Sequence, residues 1–119
     1  MGVTGIGGFF FRSKDPETLA AWYRDTFGIG LGEYGLWEQQ AGLTVFSPFA
    51  AGDTSYPPDT QWMLNLRVEG LDELKATLEA QGIEVVTKPE WDAPGVGRFA
   101  RLRDPEGNGI ELWEAWEAD

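Results

Sequence analysis

The run 98–114 constrains the fold more than any other part of the chain. Two stretches of alternating polarity flank Asp104-Pro105-Glu106-Gly107-Asn108-Gly109, in which Pro suits the second position of a tight turn and Asn-Gly tolerates positive φ. The pattern predicts strand, turn, strand. Alternation places Ile110 and Leu112 on one face with Ala100 and Leu102, and Glu111 and Trp113 on the other with Phe99 and Arg101. The first face is an ordinary packing surface. The second combines a carboxylate, a guanidinium and aromatic rings, and it suits a ligand better than a helix.

Upstream, the same two-faced logic recurs. Residues 3–12 read as an aromatic-rich strand, its glycines allowing another backbone or a ligand to approach closely. Asp15-Pro16-Glu17 announces a helix, with Asp15 as cap, Pro16 in the first turn and Glu17 at the positive end of the dipole. Leu19, Trp22, Tyr23 and Phe27 share one face of it, and Gly28 ends it. Gly32, Gly35 and Gly42 then punctuate three short expected strands at 31–34, 36–40 and 43–47, and 49–60, with Gly52, Pro57 and Pro58, is a loop.

From 62 the order begins again. Trp62, Leu64, Leu66 and Val68 alternate with Met63, Asn65 and Arg67; Leu71, Leu74 and Leu78 keep helical spacing up to Gly82; 83–86 is a short strand, and a loop leads into the strand pair. Both halves read strand, helix, three strands. An offset of about 55 residues aligns Gly8 with Met63, Phe10 with Asn65, Arg12 with Arg67 and Leu19 with Leu74, so internal duplication is the economical explanation. The expectation is one domain over 1–119, with module one at about 1–49, a linker at about 50–60 and module two at about 61–119.

Charge and composition narrow the function. Nine Lys and Arg against 20 Asp and Glu give a formal net charge of −11, which repels nucleic acid and anionic membrane surfaces and attracts cationic ligands. Without Cys there is no disulfide, thiol catalysis or thiolate metal site; without His there is no Ser-His-Asp chemistry and no imidazole-ligated zinc or iron. The start lacks the basic region of a signal peptide, and the apolar run 6–11 is too short to span a bilayer, so a cytoplasmic location is expected.

Three stretches carry a family resemblance: Lys14-Asp15-Pro16-Glu17 with Trp22-Tyr23-Arg24-Asp25 and Phe27-Gly28, Arg67-Val68-Glu69-Gly70-Leu71-Asp72, and 104–112. In these the chain resembles the glyoxalase, bleomycin-resistance and extradiol dioxygenase superfamily, the vicinal oxygen chelate fold. The resemblance implies an α+β fold in which two βαβββ modules form curled mixed sheets around a cup that holds small molecules, usually completed in a homodimer.

Members of that superfamily that hold a divalent metal typically ligate it with a His on the first strand of each module and a carboxylate or Gln on the last. Here the first-strand positions fall on Gly8 and Met63, the last strand of module one offers Thr44 or Phe46, and only Glu111 keeps a ligand. One carboxylate is too few to hold a divalent ion firmly. The expectation is therefore no cofactor; the alternative is a weakly bound divalent metal completed by water and substrate oxygens, and recruitment of Glu33, Glu38 or Asp53 as further oxygen ligands stays open. Extradiol dioxygenase chemistry is disfavoured without His.

Strand alternation places Phe10, Arg12, Asn65, Arg67, Phe99, Arg101, Glu111 and Trp113 on the cup face, with Phe46 as a further candidate ligand-binding residue. Glu111 has three readings: an ion pair with Arg12, Arg67 or Arg101, a hydrogen-bonding group for ligand, or a general base. A guanidinium beside a carboxylate favours the anion and weakens it as a base. Arg12 and Arg67 suit either a clamp on an anionic group or neutralisation of Glu111. The aromatics suit either packing or ligand stacking. The leading functional reading is a metal-free protein that binds a small organic molecule; a glyoxalase-like lyase or isomerase using Glu111, and a non-catalytic partner-binding module, are the alternatives.

Overall fold

In the computed structural model, which describes residues 1–116, helix α1 spans Pro16–Phe27, bounded by the residues that the sequence marks for the purpose. The Asp15 carboxylate accepts from the Thr18 backbone N–H at 3.2 Å, and Pro16 opens the first turn. Gly28 adopts the left-handed conformation at φ 71°, its N–H donating back to the Arg24 carbonyl. The last residues of the expected second module, 117–119, lie outside the described residues.

The second half folds as expected except at 83–86. Strand β1 (Leu64–Arg67), helix α2 (Leu71–Ala80) and strands β2 (Gly97–Arg103) and β3 (Gly109–Ala115) form a sheet in the order β1-β3-β2, parallel between β1 and β3 and antiparallel between β3 and β2. The short strand expected at 83–86 is reduced to one bridge, Val86 to Arg101, which adds a fourth line of pairing beyond β2. Its brevity has a cause nearby, since Pro89 opens a 3-10 turn soon after it and cannot donate to a ladder.

One sheet face carries the core. Ala100, Ile110 and Leu112 are fully buried, with Leu66 and Leu102 nearly so, and they pack with Leu71 and Leu78 of α2 and Leu19 and Tyr23 of α1. Burying each large aliphatic side chain contributes about 1.5–3 kcal/mol, so this face fixes the register of all three strands. Glu114 closes the far end: its carboxylate accepts from the Leu71 N–H at 2.9 Å, capping α2, which lacks a side-chain cap of its own.

The first half departs from expectation. Among the described residues no ladder forms at 3–12, 31–34, 36–40 or 43–47; instead Glu33–Gly35 make a 3-10 turn in which Tyr34 takes a positive φ of 59°. Alternation creates a face but not a partner, and short, glycine-broken segments do not hold a strand alone. The result is a set of apolar side chains turned to solvent, among them Leu43 at 83% and Phe46 at 88% exposure. From the first segment Phe11 packs against the core, edge-on to Tyr23 and tilted against Trp62, while the half-exposed Phe9 stands edge-on to Trp62.

The β2–β3 turn ties the halves together. Asp104, 4% exposed, accepts from the Tyr23 hydroxyl at 2.7 Å, the Asn108 side-chain amide at 2.7 Å, and the backbone N–H groups of Glu106 and Asn108. Burial first, and the bond to Asp104 second, push the Tyr23 phenol well above its ordinary value of 10.0. Glu106 accepts from Ser13 Oγ at 2.6 Å and Lys14 N at 2.9 Å, and these bonds, the Ser13 hydroxyl foremost, hold its carboxyl below the usual 4.5. Within the turn the positive φ falls on Gly107, at 87°, not on Asn108, whose side chain and N–H are both claimed by Asp104.

Candidate functional site

The sheet face opposite the core carries two cross-strand rows. Asn65, Glu111 and Arg101 lie side by side, as do Arg67, Trp113 and Phe99, because β1 and β2 flank β3 in these registers. The rings of Phe99 and Trp113 are stacked, 6.3 Å apart and 4° from parallel. Trp113 Nε1 donates to the Val96 carbonyl at 3.0 Å, which fixes the indole.

Glu111 is held from both sides. One oxygen accepts from Asn65 Nδ2 at 2.8 Å and the other from Arg101 Nε at 3.0 Å. Of the three candidate arginines, Arg101 is the partner. Their side chains are only 18% and 14% exposed, so the pair is screened less than a surface ion pair, and charge-assisted bonds of this kind contribute about 1–2 kcal/mol.

Arg101 continues the network into two loops. Its guanidinium carbon lies 4.9 Å from the Tyr56 ring centre and 4.8 Å from that of Trp91, and Nη1 donates to the Ser55 carbonyl. Tyr56 in turn stacks on Phe49 at 4.1 Å, and Lys88 Nζ sits 5.4 Å from Trp91. A cleft of about 780 Å³ opens here, bordered by Tyr56, Pro57, Met63, Lys88, Trp91 and Arg101. That volume is in the range of small-molecule sites.

The remaining sequence-derived residues sit elsewhere. Arg67 Nη2 donates to the Gln40 carbonyl at 3.0 Å, with its guanidinium so close to Gly42 that any side chain there would collide with it. It also borders a second hollow of about 280 Å³ with Trp37 and Phe27. Phe10 at 92% exposure, Phe46 and Arg12 are solvent-facing, and Arg12 enters none of the ion pairs among the described residues. Asn65, Phe99, Arg101, Glu111 and Trp113 are therefore assembled together, with Arg67 in the adjoining row. Ser55, Tyr56 and Trp91 escaped the sequence reading because they lie in aperiodic loops; Tyr56-Pro57-Pro58 and Pro89-Glu90-Trp91, aromatics stiffened by prolines, were the available signal.

The donor chemistry does not fit the superfamily's metal. At the usual ligand positions Gly8 offers no side chain and Met63 only a thioether, which lies against Gly109. Glu111 is the one carboxylate, already engaged by Asn65 and Arg101, and among the described residues no three Asp or Glu side chains converge.

Compared with protein families, residues 8–113 match the glyoxalase-like domain. The chain belongs to the glyoxalase-like domain family. Among solved structures it is similar to TnmS3, an antibiotic binding protein from Streptomyces sp. CB03234, with TM-score 0.62 and 23% identity over 98% of this chain and 99% of that one. A glyoxalase/bleomycin resistance protein from Streptomyces sp. CB03234 aligns with TM-score 0.51 and 27% identity over 85% of this chain and 92% of the other. The expected vicinal oxygen chelate fold is thereby established. Comparison with curated proteins gave no match. No helix among the described residues is long and apolar enough to cross a membrane.

Proposed function

We propose that this protein binds a small, planar, cationic organic molecule without a metal, acting in the cytoplasm as a homodimer. One observation carries the reading: a carboxylate, a guanidinium and four aromatic rings, Tyr56, Trp91, Phe99 and Trp113, gather on the half-buried sheet face opposite the core and in the cleft beside it. Aromatic faces and a carboxylate favour a planar cation, and the net charge of −11 raises its local concentration. Antibiotic binding by TnmS3, which shares the fold, is in keeping with a small organic ligand.

The lyase or isomerase alternative asks Glu111 to move a proton. Both of its oxygens already accept hydrogen bonds, from Asn65 and Arg101, so neither is free to take a substrate proton, which argues for recognition over base catalysis. The dimer is motivated by the unpaired first half, whose exposed Leu43, Val45 and Phe46 need cover. Calorimetric titration of cationic and anionic aromatics into metal-stripped protein tests the reading; binding that favours the cations supports it, and binding by none, or only by the anions, refutes it.

A further inference from the structure

Arg101 touches the sheet at Glu111, the 54–60 loop at Ser55 and Tyr56, and the 89–91 turn at Trp91. Its surroundings are those of a bound cation. Two aromatic faces stand at near-equal distance on it, a carboxylate engages Nε, and a backbone carbonyl engages Nη1. Trp91 has a second cation near it, Lys88 Nζ at 5.4 Å from the ring centre, and both residues line the cleft. Arg101 is itself part of the cleft wall, and it is held there by one carboxylate, one backbone carbonyl and two aromatic rings.

We infer that Tyr56, Trp91 and Glu111 form a cation-recognition subsite whose resident occupant is Arg101, and that a ligand's amidinium- or guanidinium-type group binds by displacing that side chain. The inference rests on the small-molecule reading above and names the group recognised. A site filled by its own side chain binds an outside ligand only in the fraction of molecules in which that side chain has left, so apparent affinity falls by that fraction. Removing the occupant then raises affinity, the opposite of what loss of a ligand-contacting residue does. Tyr56 and Trp91 also become specificity residues, since a cation without a flat face gains less between two rings.

Benzamidine, an aryl amidinium, is the probe. Titrated calorimetrically into wild type, Arg101→Ala and the double variant Arg101→Ala/Tyr56→Leu, it is expected to bind Arg101→Ala about tenfold or more tightly than wild type. Adding Tyr56→Leu removes that gain. If Arg101→Ala does not fold, Arg101→Lys serves in its place, keeping a cation for Glu111 but withdrawing the planar group from between the rings. Affinity that is unchanged or weaker in the variant, while wild type binds benzamidine or another cationic aromatic, overturns the displacement and leaves the binding function standing. Silence from wild type and variants alike, across the wider series of cationic aromatics, overturns both.

Discussion

The two halves of this chain carry the same alternating apolar signature and meet different fates. In the second, Ile110 and Leu112 are fully buried and every residue of β3 is paired on one side or both; in the first, Leu43, Val45 and Phe46 stand more than two-thirds exposed with no ladder around them. The difference teaches that hydrophobic periodicity specifies which face a strand turns inward, but a neighbouring edge specifies whether the strand exists. Helix α1 marks the boundary. It lies in the first half of the sequence and packs with the second, through Leu19, Tyr23 and the latch at Asp104.

The largest expected effect breaks that latch. Asp104→Ala leaves the Tyr23 hydroxyl, the Asn108 amide and two backbone N–H groups without their acceptor, at a cost of about 4 kcal/mol in denaturant unfolding. A cost below about 1 kcal/mol would show that the halves do not depend on it. Next, Leu112→Ala should cost about 3 kcal/mol, whereas Leu43→Ala, with 83% exposure, should leave the dilute monomer nearly unchanged. Equal losses in both would mean the first half is packed after all.

Self-association sharpens the contrast in the other direction. Phe46→Asp is expected to weaken the proposed dimer by about tenfold or more in sedimentation, with the unfolding of the monomer unaffected. Wild type that stays monomeric at every concentration would contradict the proposal.

Smallest is the pH effect at the junction. The Glu106 carboxyl is held below its ordinary 4.5, so its contribution is present above that value and is lost as pH falls through the lower, folded value. The Tyr23 phenol is raised, so its contribution is complete below pH 10.0 and is lost above it, as the unfolded chain ionises first. Glu106→Gln should flatten the acid arm of the stability profile and Tyr23→Phe the alkaline arm. An acid arm unmoved by Glu106→Gln would remove Glu106 from the latch.

Much of the second half was legible in the sequence. Alternation assigned Ala100, Leu102, Ile110 and Leu112 to the core and Asn65, Arg67, Phe99, Arg101, Glu111 and Trp113 to the other face, because a two-residue period leaves no third choice once one face is apolar. Pro16 and Gly28 bounded α1 by backbone geometry alone. Pairing was not legible at 36–47, since it depends on an edge that local sequence does not encode. Nor were Tyr56 and Trp91, whose roles follow from where Arg101 reaches, nor the exchange of positive φ from Asn108 to Gly107, which follows from the acceptor that Asp104 supplies.

The most direct test of the central claim is calorimetric titration of a cationic aromatic series into wild type and Glu111→Gln, each with and without exhaustive chelation. The account predicts binding that is indifferent to chelation and about tenfold weaker in Glu111→Gln, the loss of one charge-assisted contact. Binding that disappears with the chelator and returns with a divalent metal would contradict it, as would binding that Glu111→Gln leaves unchanged.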